Sequence, residues 1–285
     1  MNDPICTLTE DTVKAYRLYL LEQERSESTI QKYLYAFHSL QAFLSGEPIT
    51  SAALITWKRR QTSIHAPATV NAMLAAVNGL LRRLGRADLC LRFLKIQRQI
   101  FCEEERLLTQ EDYLRLVRTA QDLGDQRFAL VMQTLCACGL RVSELRHITA
   151  EAVASGKAVV NCKNKTRVIF LPGALQKKLR SYLKSKGITT GPVFRTRTGR
   201  PLDRHYIWRR MKALCTRAGV HPAKVFPHNL RHLFARSFYA MEKDIVRLAD
   251  LLGHSSINTT RIYTLDSGAS HLRSVQRLAG RLLTT

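Results

Sequence analysis

Apolar residues recur every three or four positions through most of the chain. The pattern first shows over residues 9–24, where Val13, Tyr16, Leu20 and Leu21 fall on one helical face. A second stretch carries Ile30, Tyr33, Leu34, Phe37 and Leu40 from Glu27 to Gly46, and a third follows Pro48 through Trp57. A fourth runs over residues 67–84 into Gly85, a helix stop. No alternating pattern interrupts these, so residues 1–98 are expected to fold as a small helical bundle. Around residues 92–106 the period fades and charge takes over, including Glu103-Glu104-Glu105, which puts a linker at residues 99–106. Helical spacing resumes at the capping sequence Thr109-Gln110-Glu111-Asp112 and continues over residues 127–138, ending at Gly139. The period then switches to two. Residues 157–162 and 166–171 are short β-branched runs around the polar turn Lys163-Asn164-Lys165, a hairpin stopped by Pro172. Everything after it is helical again, with breaks at Gly199-Arg200-Pro201, Pro227, Gly253 and Ser267-Gly268. The expected fold is mainly α with one small β-hairpin: a helical unit (1–98) and a mixed α/β unit (107–285).

Composition narrows the function classes. The central uncharged run, residues 128–140, has 13 residues, whereas a membrane-spanning helix needs about 20. The N-terminus lacks a basic segment followed by an apolar one, so a soluble protein without an export signal is expected. Seven scattered cysteines (Cys6, Cys90, Cys102, Cys136, Cys138, Cys162, Cys215), with no C-x-x-C pair, argue against a disulfide framework and a zinc site and for a reducing cytosol. The 45 Lys+Arg against 22 Asp+Glu give a net charge of +23, an imbalance that a polyanion would neutralise, which makes nucleic acid the leading partner. Of that charge +5 lies in residues 1–100 and +18 in residues 101–285, so the polyanion should be gripped mostly by the second unit. In the first unit, Lys58-Arg59-Arg60 and Arg82-Arg83 are expected at helix ends, positions from which they could straddle a DNA backbone.

Several residues in the second unit can carry chemistry. In Pro227-His228-Asn229-Leu230-Arg231-His232, His228 and Arg231 share one helical face just after a proline start, so they can address one target. Leu252-Gly253-His254 ends an amphipathic helix over residues 244–252 and places a second histidine at the mouth of the next element. Nine residues on stands Tyr263, whose phenol is a nucleophile if a base takes its proton or cations stabilise the phenolate. Upstream, Cys138-Gly139-Leu140-Arg141-Val142-Ser143-Glu144-Leu145 puts Arg141 directly after a helix stop with Glu144 one turn further on.

The ordered set resembles the catalytic signature of the tyrosine recombinases: Gly-Leu-Arg-x-x-Glu-Leu, a basic hairpin, His-x-Leu-Arg-His, Leu-Gly-His, then Tyr nine residues later. The resemblance covers about residues 105–270, and the N-terminal bundle is similar in length and position to that family's core-binding domain, as in the Xer-type and Cre-like members without an arm-binding domain. It implies a site-specific DNA recombinase acting on double-stranded DNA without metal, cofactor or ATP. Tyr263 would form a 3′-phosphotyrosyl bond and free a 5′-hydroxyl, which permits integration, excision or resolution. Arg141 and Arg231 would hold the phosphate, a role for which lysine is a poor substitute because only the guanidinium fork donates two hydrogen bonds to one phosphate. His228 would assist proton transfer at the phenol and His254 would hydrogen-bond a phosphate oxygen. The family's hairpin lysine, proton donor to the leaving oxygen, would be Lys163 ahead of Lys165; the Gly-Lys-Gly pattern common there is absent from Cys162-Lys163-Asn164-Lys165, which leaves the register open. Glu144 and His232 would support the site. The resemblance further implies a homotetramer on DNA, with a tail helix over residues 271–283 docking on the neighbouring subunit, and leaves room for accessory proteins. The rival readings are type IB topoisomerase-like DNA relaxation and a catalytically inactive DNA-binding relative.

Overall fold

The computed structural model describes residues 7–96, 106–162, 165–254, 256–263 and 276–279. By its contacts the chain divides into two units, Met1–Arg98 and Gln99–Thr285. Most of the expected linker at 99–106, Lys163 and most of the expected tail helix lie outside the described residues.

The first unit is four helices: α1 (Glu10–Glu22), α2 (Glu27–Leu44), α3 (Ser51–Ile64) and α4 (Pro67–Arg83). Thr9 caps α1 by accepting from the Thr12 amide, and Pro67 begins α4, where its missing N–H costs nothing. The core gathers Val13, Tyr16, Ile30, Phe37, Leu40, Leu54, Trp57, Leu74 and Val77. Two expectations are corrected. Leu21 is 44% exposed, because α1 turns Leu20 rather than its neighbour inward. The helix expected to close at Trp57 runs on to Ile64, so Lys58-Arg59-Arg60 sits inside α3, not at a helix end.

The second unit is built around α6 (Gln126–Ala137), which buries Phe128, Ala129, Leu130, Val131, Met132 and Leu135 in near succession. A helix apolar all round must be enclosed, and α6 packs against α5 (Gln110–Asp122), α8 (Gly173–Ser185) and α10 (Pro227–Glu242). After α6 come a 3-10 turn (Val142–His147), α7 (Ala150–Ser155) and an antiparallel hairpin of β1 (Lys157–Cys162) and β2 (Lys165–Phe170). Strand β2 thus opens one residue earlier than expected. The register sets Val160 opposite Arg167 and Ala158 opposite Ile169; Ala158, Val160 and Ile169 are buried, while Val159, Val168 and Phe170 on the other face are exposed. Beyond α8 the order is α9 (Arg204–Ala218), α10, α11 (Ile245–Leu252) and α12 (Ile257–Arg261). Among the described residues no helix is long and apolar enough to cross a membrane.

Candidate active site

The end of α6 delivers the first element. Gly139 takes a left-handed φ of +58°, and a Cβ there would come within 2.5 Å of the Phe234 ring, so chain reversal and close packing both demand glycine. The chain then enters the 3-10 turn with Arg141 as its cap. The Arg141 amide donates to Glu144 Oε2 at 2.8 Å and Arg141 Nη1 to Glu144 Oε1 at 3.0 Å. In a 3-10 turn residues i and i+3 eclipse, which turns the spacing Arg-x-x-Glu into direct contact.

Glu144 is the hub. Its side chain is 3% exposed and pairs with Arg141, with Arg167 Nη2 at 2.5 Å and, at 3.9 Å, with Arg231 Nη1. Arg231 projects from α10 into the interior, 1% exposed, where Nη1 donates to the Gly139 carbonyl at 2.8 Å and Nη2 to the Leu252 carbonyl at 2.7 Å. Burial, then the charges of Arg141 and Arg167, lower its pKa to about 10, opposed by Tyr263 and Glu144. It therefore stays cationic at neutral pH. Three guanidiniums around one carboxylate leave a net charge of +2, and Arg231 Nε and Arg167 Nε are buried donors without a hydrogen-bond partner among the described residues. Arg141, 39% exposed at its side chain, is the member open to an incoming anion.

The histidines and the tyrosine gather on this cluster. Arg231 Nη2 lies 2.9 Å from His254 Nε2. A guanidinium can only donate, so Nε2 is the acceptor, and Nδ1 carries the proton that it donates to Thr260 Oγ1 at 2.9 Å. His254 is thus neutral, in keeping with a pKa pushed down to about 4 by burial and then by Arg231, Arg141, Arg167 and His228. His228, His232 and Tyr263 form a ring ladder, with centroids 4.7 Å apart for His228 and His232 and 4.5 Å apart for His232 and Tyr263. His254 stacks on Tyr263 from another side at 5.9 Å. Burial and then His228, Arg236 and Arg231 press the pKa of His232 down to about 4; partial desolvation and then Arg231 and Arg141 lower that of His228, although its edge is open to solvent. Tyr263 is only 4% exposed and packs with Ala235, Leu248 and Leu252.

The structure therefore brings Arg141, Glu144, His228, Arg231, His232, His254 and Tyr263 to one place. Lys165 opens β2 opposite Cys162, two residues before Arg167. In the first unit, Arg59, Arg60, Arg82 and Arg83 are exposed, but Arg83 lies over the Tyr19 ring at 4.0 Å and Lys58 Nζ is engaged by the Arg92 carbonyl at 2.6 Å. Two participants escaped the sequence reading. Arg167 sits on a strand whose two faces are both apolar in sequence, Val168 and Phe170 against Ile169 and Leu171, so alternation alone does not mark it as inward; Thr260 carries no sequence signal apart from its place three residues before Tyr263. Among the described residues no three His, Cys, Asp or Glu side chains gather as a metal-binding group, and the cationic charge at the cluster is that of its arginines.

Residues 106–268 match the phage integrase family model. The tyrosine recombinase XerA of Pyrococcus furiosus is 28% identical over 97% of this chain and 96% of its own length. The tyrosine recombinase XerD of Xanthomonas campestris is 35% identical over 47% of this chain and 46% of its own length. Among solved structures, a lambda integrase tetramer bound to a Holliday junction superimposes with a TM-score of 0.74 at 17% identity, over 92% of this chain and 78% of that one.

Proposed function

This chain belongs to the phage integrase family and is a tyrosine recombinase, and from that premise we propose that it exchanges strands of double-stranded DNA at specific sites, Tyr263 being the nucleophile. The observation that carries the reading is the +2 guanidinium cluster, linked through neutral His254 to the Tyr263 ring.

A phosphodiester under attack concentrates charge on its two non-bridging oxygens, which fixed cations stabilise without reorganisation. Arg141, open to solvent, receives the phosphate, and Arg231 sets the field from behind. His254 donates to a non-bridging oxygen after exchanging its present partners. The Tyr263 oxygen bonds to phosphorus as the bond from phosphorus to the 5′-oxygen breaks. The phenol proton passes to the His228/His232 pair, which burial keeps neutral and able to accept it. The 5′-oxygen takes a proton from a hairpin lysine, Lys163 or Lys165. Both positions have the parity of Arg167, so strand alternation does not choose between them. Attack on the phosphotyrosine by the 5′-hydroxyl of a second duplex reverses each transfer and reseals the strand, so no ATP is needed. Strand exchange between two duplexes calls for four subunits, and a homotetramer on DNA is the assembly we propose.

The test begins with duplexes that the protein retains from a random-sequence pool, each then nicked beside the cleavage position so that the short 5′-hydroxyl fragment diffuses away. The unaltered protein is expected to form a denaturant-resistant adduct. Tyr263→Phe is expected to bind the same duplex with unchanged affinity and to form none; an adduct that survives the substitution removes Tyr263 from the chemistry.

A further inference from the structure

We propose that Arg167, on β2, is a positioning residue for this site: it locks the end of α11 and the Glu144 carboxylate into the geometry that holds the phosphate. The inference rests on the recombinase reading above and adds a residue to it.

Helix α11 ends at Leu252 with four carbonyls to satisfy. The last four C=O groups of a helix have no partner within it, and here each is accounted for. The His254 amide donates to Ala249 O at 3.0 Å and the Gly253 amide to Asp250 O at 2.9 Å. The remaining two are taken by side chains from distant segments, Leu251 O by Arg167 Nη1 at 2.6 Å and Leu252 O by Arg231 Nη2 at 2.7 Å. Cations suit this place because the helix dipole is negative there. The segment that follows, Gly253-His254, is therefore aimed by two guanidiniums side by side. Gly253 takes φ +63°, and a Cβ on it would sit 2.6 Å from Arg167 Cδ, so the turn into His254 lies directly against the Arg167 stem.

The other half of the Arg167 fork grips Glu144 Oε2 at 2.5 Å, the same oxygen that accepts the Arg141 amide at 2.8 Å. One planar group thus ties the hairpin strand, the turn carrying Arg141 and the helix end preceding His254. At 11% side-chain exposure it acts through Arg141 and His254 without touching the phosphate itself. Lysine, with one point of charge, cannot span two acceptors in a fixed plane. Its removal leaves Glu144 paired with Arg141 and Arg231, so the carboxylate keeps its counter-charge and the fold is expected to survive.

The test uses Arg167→Lys and Arg167→Gln in the full chain, on the nicked duplex described above and on a copy whose leaving 5′-oxygen is replaced by sulfur, which departs without a proton. Thermal melting and DNA retention are measured alongside. Cleavage is expected to fall about tenfold or more in both variants, in line with small misplacements of a phosphate clamp. The melting temperature is expected to fall by several degrees, as loss of the buried hydrogen bond to Glu144 requires, with the protein still fully folded at the assay temperature, and DNA affinity is expected to stay near the unaltered value. The sulfur substrate is expected to show the same loss, because the clamp acts on the non-bridging oxygens. Cleavage within about twofold of the unaltered protein overturns the inference. So does full restoration by sulfur, which would assign Arg167 to the proton donor on the hairpin, and so does a loss that disappears when cleavage is assayed well below each variant's melting transition, or that merely follows a fall in DNA retention. Absence of an adduct from the unaltered protein overturns the recombinase reading together with this one, whereas an adduct from it with unimpaired Arg167 variants overturns this one alone.

Discussion

Replacing Glu144 by glutamine removes the one carboxylate that, among the described residues, pairs with all three guanidiniums, while keeping the side chain's shape and one acceptor oxygen. The cost can be worked from the contacts. The Arg141 pair is 39% exposed on the arginine side and is screened, so it contributes at most about 1 kcal/mol. The Arg167 pair, 11% and 3% exposed, is a charge-assisted hydrogen bond worth about 1.5–3 kcal/mol. The Arg231 contact at 3.9 Å adds little directly, but Arg231 is buried and loses its nearest counter-charge. The sum is about 2–4 kcal/mol, which for a unit of this size lowers the melting temperature by about 5–15 °C. Calorimetry of the full chain measures it, and in a Trp208→Phe background, which removes the second unit's tryptophan from α9, Trp57 fluorescence serves as an internal control, because Trp57 is buried in the first unit's core and its transition should not move. The variant site carries three positive charges, so sulfate at about 100 mM should stabilise Glu144→Gln more than the unaltered protein, as an anion that binds only the folded state must. A shift under about 2 °C, or equal stabilisation of both proteins by sulfate, would refute the argument that one carboxylate holds this cluster together.

Gly139→Ala places a methyl group against Phe234 in a left-handed conformation and should destabilise the second unit by more than about 2 kcal/mol, measured by the same calorimetry; Gly46→Ala, equally left-handed but with open space around it, should cost less. His232 and His254 have folded pKa values near 4 against an ordinary 6.5, so the unfolded chain binds protons first as pH falls. Stability should be full above about pH 6.5 and drain away down to about pH 4, and His232→Gln should flatten the decline; parallel melting curves against pH for the two proteins would contradict it. Adduct formation should persist in EDTA, because the charge on the phosphate is met by guanidiniums; loss of the adduct on chelation would mean that a ligand set exists which the argument lacks.

The chain announced its helices where hydrophobic period and punctuation agreed. Pro67 and Gly85 bracket α4 in sequence as in structure, and the order of Arg141, His228, Arg231, His254 and Tyr263 was legible because short spacings survive folding as shared faces. What failed was inference from charge alone. Lys58-Arg59-Arg60 reads as a helix terminus, but lysine and arginine are good helix formers, and α3 continues through them with Lys58 reaching the Arg92 carbonyl. Arg167 was hidden for a related reason. In a basic hairpin every cation reads as solvated, and only the register shows that its strand position faces inward, opposite buried Val160.

The inward place of Arg167 also shapes how the site is charged. A lone buried arginine is costly, and Arg231 is tolerated because four acceptors converge on it and its neighbours: the carbonyls of Gly139, Leu251 and Leu252, and Glu144. Carbonyl dipoles solvate the guanidiniums without neutralising them, so the cluster keeps its charge; burial first, and then repulsion from Arg141 and Arg167, lower the pKa of Arg231. An arriving phosphate diester relieves that repulsion, and the relief grows as the attacked phosphorus gains a second charge. A site built with four carboxylates instead of three carbonyls and one carboxylate would be more stable empty and worse at its chemistry. The excess charge is thus a stability cost carried by the resting protein, in exchange for field strength at the moment of transfer.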